Sequence, residues 1–412
     1  MALETGPVVF NPFDPEFRVD PYPTYKRMLE EAPVYESPLG GVVLSRHADC
    51  ESVLRDHRRW SADLRNATQG GFEPDMELFD NLERPFLFMD PPDHTRLRRL
   101  VNTAFTPRVV EELRPRIQAI VNHLIDATAG KGSIEIIEDL AYPLPVMVIS
   151  EMLGVPTESH LQFREWSAEL AASLDPQPMA SPETVERQRQ AIMAFDDLFR
   201  GLIAERRAKP EDDLLTALVQ AEEEGDKLTE GELLATCRLI LIAGHETTVN
   251  LIANGVLQLL RHPDELERFR EDWSLAPSVV EEVLRFDPPV QLTGRIALEE
   301  MQVGGVKVPE GHSAICLIGA ANRDPDRFPE PQRFDVTRGD DRHLAFGFGI
   351  HYCLGAPLAR LEGQIALRTF FQRLEDPALS SAGPQYKPNL VLRGMASLPV
   401  EFSNVGPPAT EV

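Results

Sequence analysis

The chain predicts a mainly α fold with a minor β component, organised as a single large domain. Three observations carry that expectation. Residues 92–275 are dominated by helical periodicity. The stretch Leu228–Pro263 holds the longest apolar helical pattern in the chain. Strand-like patterning is confined to short segments near 34–46, 290–318 and 386–403. Length and balance agree: 412 residues, 42% hydrophobic and 26% charged, suffice for a core that encloses a cofactor and a substrate. No internal repeat or long low-complexity linker divides residues 1–412, which are expected to form one domain with an N-terminal extension of about 1–10 and a C-terminal tail of about 404–412.

The elements follow in chain order. Pro12, Pro15, Pro21, Pro23, Pro33 and Pro38 punctuate the N-terminal region. "PVYESPLGGVVLSR" reads as a small hairpin turning at Gly40–Gly41. "HADCESVLRD" opens a short helix. Residues 61–89 lack a clear period and contain Gly and Pro, so they form a long loop of the kind that carries function. Thr229 and Glu232 have capping-box spacing at the start of the long helix, which must stop before Pro263. Roughly 32 residues at about 1.5 Å each span about 48 Å. The helix is apolar on nearly all faces, so it runs through the core. Residues 290–318 are β-rich, with turns at Gly304–Gly305 and Glu310–Gly311.

Composition excludes several classes. The formal charge is 41 − 66 = −25, which argues against nucleic-acid binding and describes a solubility surface. Any anionic partner then needs a local basic patch. Cys50, Cys237, Cys316 and Cys353 are far apart and form no CxxC, so neither a disulfide framework nor a zinc ribbon is expected. "MALETGPVVFNPFDPEF" lacks the basic start and apolar run of a signal peptide. His245, Glu246, Asn250, Asn254 and Gln258 interrupt the apolar stretch 239–260, whereas a bilayer span needs ~18 apolar residues. A soluble, cytoplasmic, monomeric protein is expected.

"HLAFGFGIHYCLGAPLARLEG" places Cys353 after a glycine-rich aromatic stretch. Leu354, Leu358, Leu361 and Ile365 recur at spacings of four, three and four, so the cysteine stands at the start of a helix. Unpaired N–H groups and the helix dipole stabilise a thiolate there. Gly347, Gly349 and Gly355 allow close approach of something flat, and Phe346 and Phe348 can shield the sulfur. A buried thiolate calls for a cation. One cysteine serves zinc or iron–sulfur sites poorly, while haem iron with a single axial thiolate fits.

The segment "FGFGIHYCLG" resembles the haem-binding segment of cytochrome P450 enzymes. The resemblance covers roughly residues 10–403 in the order of a soluble bacterial member. It implies a cytochrome P450 fold, with haem b between the long helix and the cysteine helix and Cys353 as the axial ligand of its iron. In "SVVEEVLRFDPP", Glu282 and Arg285 match the family's Glu-x-x-Arg, and Arg333 of "PEPQRFD" is implied as the third member of a charged triad. His94 and Arg98 of "DPPDHTRLRRL", together with Arg295 and His351, resemble the partners of the haem propionates. "AGHETT" resembles the oxygen-activating segment: Glu246 and Thr247 become the acid–alcohol pair, and Ala243 and Gly244 leave room for O2. The Thr247 hydroxyl has two candidate partners, the Ala243 carbonyl and the bound oxygen. Thr248 and His245 are read as structural neighbours.

The resemblance further implies a monooxygenase that hydroxylates or epoxidises a lipophilic small molecule. Electrons originate from NAD(P)H and arrive through a [2Fe–2S] ferredoxin or a flavodoxin on the cysteine side. Arg96, Arg99, Arg342, His343 and Arg360 are candidates for a local basic docking patch. A peroxide-driven peroxygenase and a non-catalytic haem-thiolate sensor or carrier are the competing readings. Pocket candidates are Leu239, Ala243, Val290, Gln291, Leu292, Thr293 and Leu392, and on the helices Trp166, Leu170, Leu174 and Phe195. Terpenoid, steroid, macrolide and fatty-acid skeletons all remain open.

Overall fold

In the computed structural model the described residues are 8–38, 40–68, 83–156, 159–172, 181–223 and 226–409. The largest core gathers helices around the long helix Glu230–Arg261. Its N-terminus is closed by the expected capping box: Glu232 N–H donates to Thr229 Oγ1 (3.2 Å), and Thr229 N–H donates to Glu232 Oε2 (2.8 Å). It ends at Arg261, and the next helix starts at Pro263. The helix that follows the cysteine, Ala356–Arg373, packs directly on it. Gly255 permits this approach, because a Cβ there would come within 2.7 Å of Leu367 Cδ1.

A five-stranded sheet flanks the helical core in the order Val34–Glu36, Val42–Leu44, Ser313–Leu317, Leu292–Ala297, Trp60–Ser61. The first two strands form the expected hairpin, with Val34 opposite Leu44. Ala314 pairs parallel with Val42, and Leu317 pairs antiparallel with Leu292. The short helix His47–Arg55 follows the hairpin. Met301–Val303 and Val306–Val308 form the hairpin expected at Gly304–Gly305. Near the C-terminus, Gln385–Tyr386 pairs with Met395–Ser397. Among the described residues no helix is long and apolar enough to cross a membrane.

The N-terminal prolines do more than punctuate: Pro15–Val19 and Tyr22–Glu31 are helices carrying Pro in the first turn, where a missing N–H costs nothing. Phe10 is buried with Phe17, Tyr25 and Met28. Near the C-terminus, Asn404–Val405 pairs with Leu374–Glu375 and Ala409 N–H donates to Asn122 Oδ1 (3.1 Å). In the 61–89 loop, Leu64–Asn66 and Phe86–Phe88 are short 3-10 turns, and 69–82 lie outside the described residues.

Candidate active site

Cys353 is held by a tight loop. Its N–H donates to the Phe346 carbonyl (2.9 Å), and Gly347 and Gly349 adopt φ of 71° and 72°, a region that favours glycine. Gly349 also passes so close to Leu54 that a Cβ would lie 2.7 Å from its carbonyl oxygen. Burial pushes the Cys353 thiol above its ordinary value, while the Gly355 and Ala356 N–H groups and the Arg98 charge pull the other way. Such a sulfur is stabilised as thiolate by a bound cation. Phe346 is buried beside it, and the Arg360 guanidinium lies 4.5 Å from the Phe346 ring centre.

Next to this loop the structure gathers cationic and protonatable groups. The His94 and His351 rings are 4.2 Å apart. Both His94 ring nitrogens and His351 Nε2 are buried without a hydrogen-bond partner among the described residues. Arg98 reaches the Tyr352 carbonyl (2.6 Å), and Arg295 reaches the Gly294 carbonyl (2.7 Å). Burial, reinforced by Arg98, holds His94 down at about 4. Burial and then Arg295 hold His351 down at about 2. His57 is a minor electrostatic neighbour of both histidines, and a histidine in a basic run carries no pattern that marks it as one. Among the described residues no carboxylate forms an ion pair with His94, Arg98, Arg295 or His351. A buried cationic cradle with orphaned donors fits a dianionic group, and the two propionates of haem satisfy it.

The clamp beneath the loop is built on the helix Ala276–Phe286. Arg285 donates to both Glu282 oxygens at 2.7 Å. The second guanidinium on Glu282 belongs to Arg338 (Nε to Oε2, 3.2 Å), which corrects the assignment of Arg333. Arg333 is half exposed and turned toward Glu265, Glu330 and Asp335 at 3.8–3.9 Å; only its carbonyl joins the clamp, accepting from Arg285 (3.0 Å). The chain turns between the two arginines, as Arg338 N–H bonds the Asp335 carbonyl (3.1 Å), and this turn sets which side chain faces inward. Arg285 also donates to the Asn322 carbonyl (3.0 Å), and Asn322 Oδ1 accepts from Leu344 N–H (2.7 Å) at the head of the cysteine loop. The clamp therefore braces that loop.

On the long helix, Ala243 is exposed and Gly244 and Thr247 are half exposed, although the residues around them are buried. Thr247 Oγ1 donates to the Ala243 carbonyl (2.6 Å), one of the two partners anticipated. The small size of Gly244 serves packing instead of leaving open space, because a Cβ would meet Ile149 Cδ1 at 2.9 Å. Glu246 is 5% exposed and accepts a hydrogen bond from Lys387. His245 bonds Ser167 and packs edge-on against Tyr142, as a structural neighbour would. Thr248 bonds Glu362, whose carboxyl burial pushes up to about 8.

The pocket candidates divide. Leu239 lines the long helix close to Ala243, and Val290 pairs with Leu392 in an isolated antiparallel bridge. Thr293 is half exposed and shares its strand face with Arg295. Leu292 and Gln291 are corrected. Leu292 faces the N-terminal core with Phe17 and Tyr25, and the Gln291 amide donates to the Pro288 carbonyl (2.8 Å). Leu170 and Phe195 are fully buried core residues; Phe195 stacks on Phe199 at 4.3 Å. Trp166 packs partly buried on the same core, and Leu174 lies outside the described residues. Four of the five basic-patch candidates are matched by acids: Arg96 pairs with Glu232 and Asp226, Arg342 with Asp340, and Arg360 with Glu281, while His343 is buried on Glu281; none of these pairs involves Arg99.

The family model described as Cytochrome P450 matches residues 40–393. Cytochrome P450 CYP107DY1 of Priestia megaterium is 43% identical over 87% of this chain and 89% of its own. Cytochrome P450 monooxygenase PikC of Streptomyces venezuelae is 42% identical over 94% of this chain and 92% of its own. The ligand-free crystal structure of Mycobacterium smegmatis CYP164A2 superposes with a TM-score of 0.85 at 45% identity, covering 95% of this chain and 98% of that one.

Proposed function

The chain belongs to the cytochrome P450 family and is one of its monooxygenases, and we propose that it oxidises a lipophilic small molecule with electrons from a separate ferredoxin and its reductase. The observation that carries the reading is the cationic cradle beside Cys353, where buried His94 and His351 nitrogens stand unpaired next to Arg98 and Arg295. When bound, haem b would supply the activation of O2, one oxygen atom going to the substrate and the other leaving as water with two electrons and two protons.

The chain's residues divide the remaining work. Cys353 would supply the thiolate that holds the haem iron, with the N–H groups of Gly355 and Ala356 supporting its negative charge. His94, Arg98, Arg295 and His351 would hold the propionates. Glu282, Arg285 and Arg338 brace the cysteine loop. Glu246 takes a proton from water at its carboxylate and passes it toward Thr247 Oγ1, the standard task of a positioned general acid. Leu239, Val290 and Leu392 are the apolar residues that would meet a lipophilic substrate in this reading. The Glu246–Thr247 pair favours an O2-dependent route over a peroxide-driven one, which needs no such relay.

The test is a ligand screen by haem spin-state shift, followed by reconstitution with a surrogate ferredoxin, its reductase and NADPH. NADPH-dependent oxygenated product is expected. Product with peroxide but none with the electron donors would overturn the reading in favour of a peroxygenase. Ligand binding without product in either assay would overturn it in favour of a sensor or carrier.

A further inference from the structure

Glu246 is a buried acid whose carboxylate meets a cation from a distant part of the chain. Lys387 Nζ donates to Glu246 Oε1, although the two residues are 141 positions apart. Lys387 directly follows the strand Gln385–Tyr386, and its own N–H donates to the Gly394 carbonyl (3.0 Å) across the hairpin. The hairpin is pressed onto the long helix, since Gly394 leaves no room for a Cβ against Asn250. Its far end is tied to the Pro289–Gln291 segment: Gln291 N–H donates to the Val391 carbonyl (2.9 Å), and Arg393 N–H donates to the Pro289 carbonyl (2.7 Å). The lysine is therefore delivered to the acid by a fixed element and not by a loose surface side chain. The Lys387 side chain is 24% exposed against 7% for Glu246, so the pair runs from solvent to the buried acid.

Asn250 lies one helical turn beyond Glu246. It is fully buried, and neither its amide nitrogen nor its amide oxygen has a partner among the described residues. A buried carboxylate released from its cation would find that amide, because unpaired polar groups in the interior pair with whatever donor they reach.

We infer that Lys387 is a positioning residue for the acid: it fixes the Glu246 carboxylate against the docked hairpin and keeps it from the Asn250 amide. The inference rests on the reading of Glu246 as the relay acid. Lys387 touches neither the reacting atoms nor Thr247; it acts by fixing where the acid waits.

The experiment compares haem-loaded Lys387→Met, Lys387→Arg, Glu246→Gln and the Lys387→Met/Glu246→Gln double variant. A positioned general acid contributes roughly 10²–10⁴-fold, so partial misplacement in Lys387→Met should lower product formed per NADPH by about tenfold and change the solvent isotope effect. Substrate affinity read by spin-state titration should stay as in the parent, and Lys387→Arg should restore the product ratio. In the Glu246→Gln background Lys387→Met should have no further effect on that ratio. Independently of turnover, thermal-unfolding shifts of the two single variants should be non-additive in the double variant, as for residues in direct contact. An unchanged product ratio in Lys387→Met, alongside a lowered one in Glu246→Gln, would overturn the inference and leave the relay reading standing. An unchanged ratio in Glu246→Gln would overturn the relay reading itself. A tenfold change in substrate affinity in Lys387→Met would make Lys387 a pocket residue and overturn the inference.

Discussion

Arg285 meets Glu282 through two parallel hydrogen bonds, Nε to Oε2 and Nη2 to Oε1, both 2.7 Å long and both fully buried. Removing one partner of such a pair leaves an uncompensated buried charge and costs about 3–5 kcal/mol. Glu282→Ala should therefore yield little haem-loaded protein. Arg338→Ala should show an intermediate loss. Arg333→Ala, at a half-exposed side chain outside the clamp, should stay within about 0.5 kcal/mol of the parent. Chemical unfolding together with haem content per chain ranks the three, and a larger loss for Arg333→Ala than for Arg338→Ala would reverse the assignment.

Cys353 is the sulfur of the glycine-rich loop beside the cradle. Cys353→His should bind haem without giving the reduced carbon-monoxide spectrum of a thiolate-ligated iron. Retention of that spectrum would assign the axial position elsewhere.

Thr247→Ala removes the hydroxyl that bonds the Ala243 carbonyl. Substrate binding and electron uptake should persist, while reducing equivalents divert to peroxide. Loss of one positioned proton-transfer group should lower product per NADPH by roughly 10²-fold. Stoichiometry of NADPH, peroxide and product measures it directly.

Glu362 supplies a pH test. Burial raises its folded-state value from 4.5 to about 8, with the Thr248 hydroxyl opposing. Between those values the folded state binds the proton more tightly than the unfolded state does. This contribution is fully present below 4.5 and is lost as pH rises toward about 8, with a slope up to about 1.4 kcal/mol per pH unit. Glu362→Gln keeps the shape without the ionisation, so its unfolding free energy should fall less than the parent's across that window. Parallel pH profiles for the two proteins would contradict the assignment.

Salt should affect ferredoxin-driven reduction only weakly. Arg96, Arg342 and Arg360 are matched by Glu232, Asp340 and Glu281, so little net positive charge is left on them to steer an acidic donor. Steering by free charge would weaken markedly once the Debye length shortens to about 10 Å at 0.1 M salt. Stopped-flow reduction rates between low and moderate ionic strength provide the measurement, and a steep fall would show an effective basic patch.

What was legible in the sequence is local. The capping box at Thr229 and Glu232, the hairpin at Gly40–Gly41 and the Glu282–Arg285 pair all depend on residues within a few positions of one another. Helix and strand periods fix such neighbours whatever the rest of the chain does. The cysteine loop belongs here too, because its glycines and aromatics are contiguous and Cys353 bonds Phe346 only seven residues away.

Tertiary structure alone decided the rest. Arg338, and not Arg333, faces Glu282 because an irregular turn has no period from which to read side-chain direction. Gln291 and Leu292 lay in the segment expected to line the pocket, yet Leu292 faces the N-terminal core while Thr293 shares the face of Arg295, since side chains alternate along a strand and only packing chooses the inward set. Glu246 and Lys387 share no local pattern; a hairpin docked on the long helix brings them together. His57 approaches His94 and His351 for the same reason. Sequence by itself determined the elements and the residue types that chemistry needs, because those are set by neighbours along the chain. Closure of the chain determined which distant charges meet, because that depends on how whole elements pack.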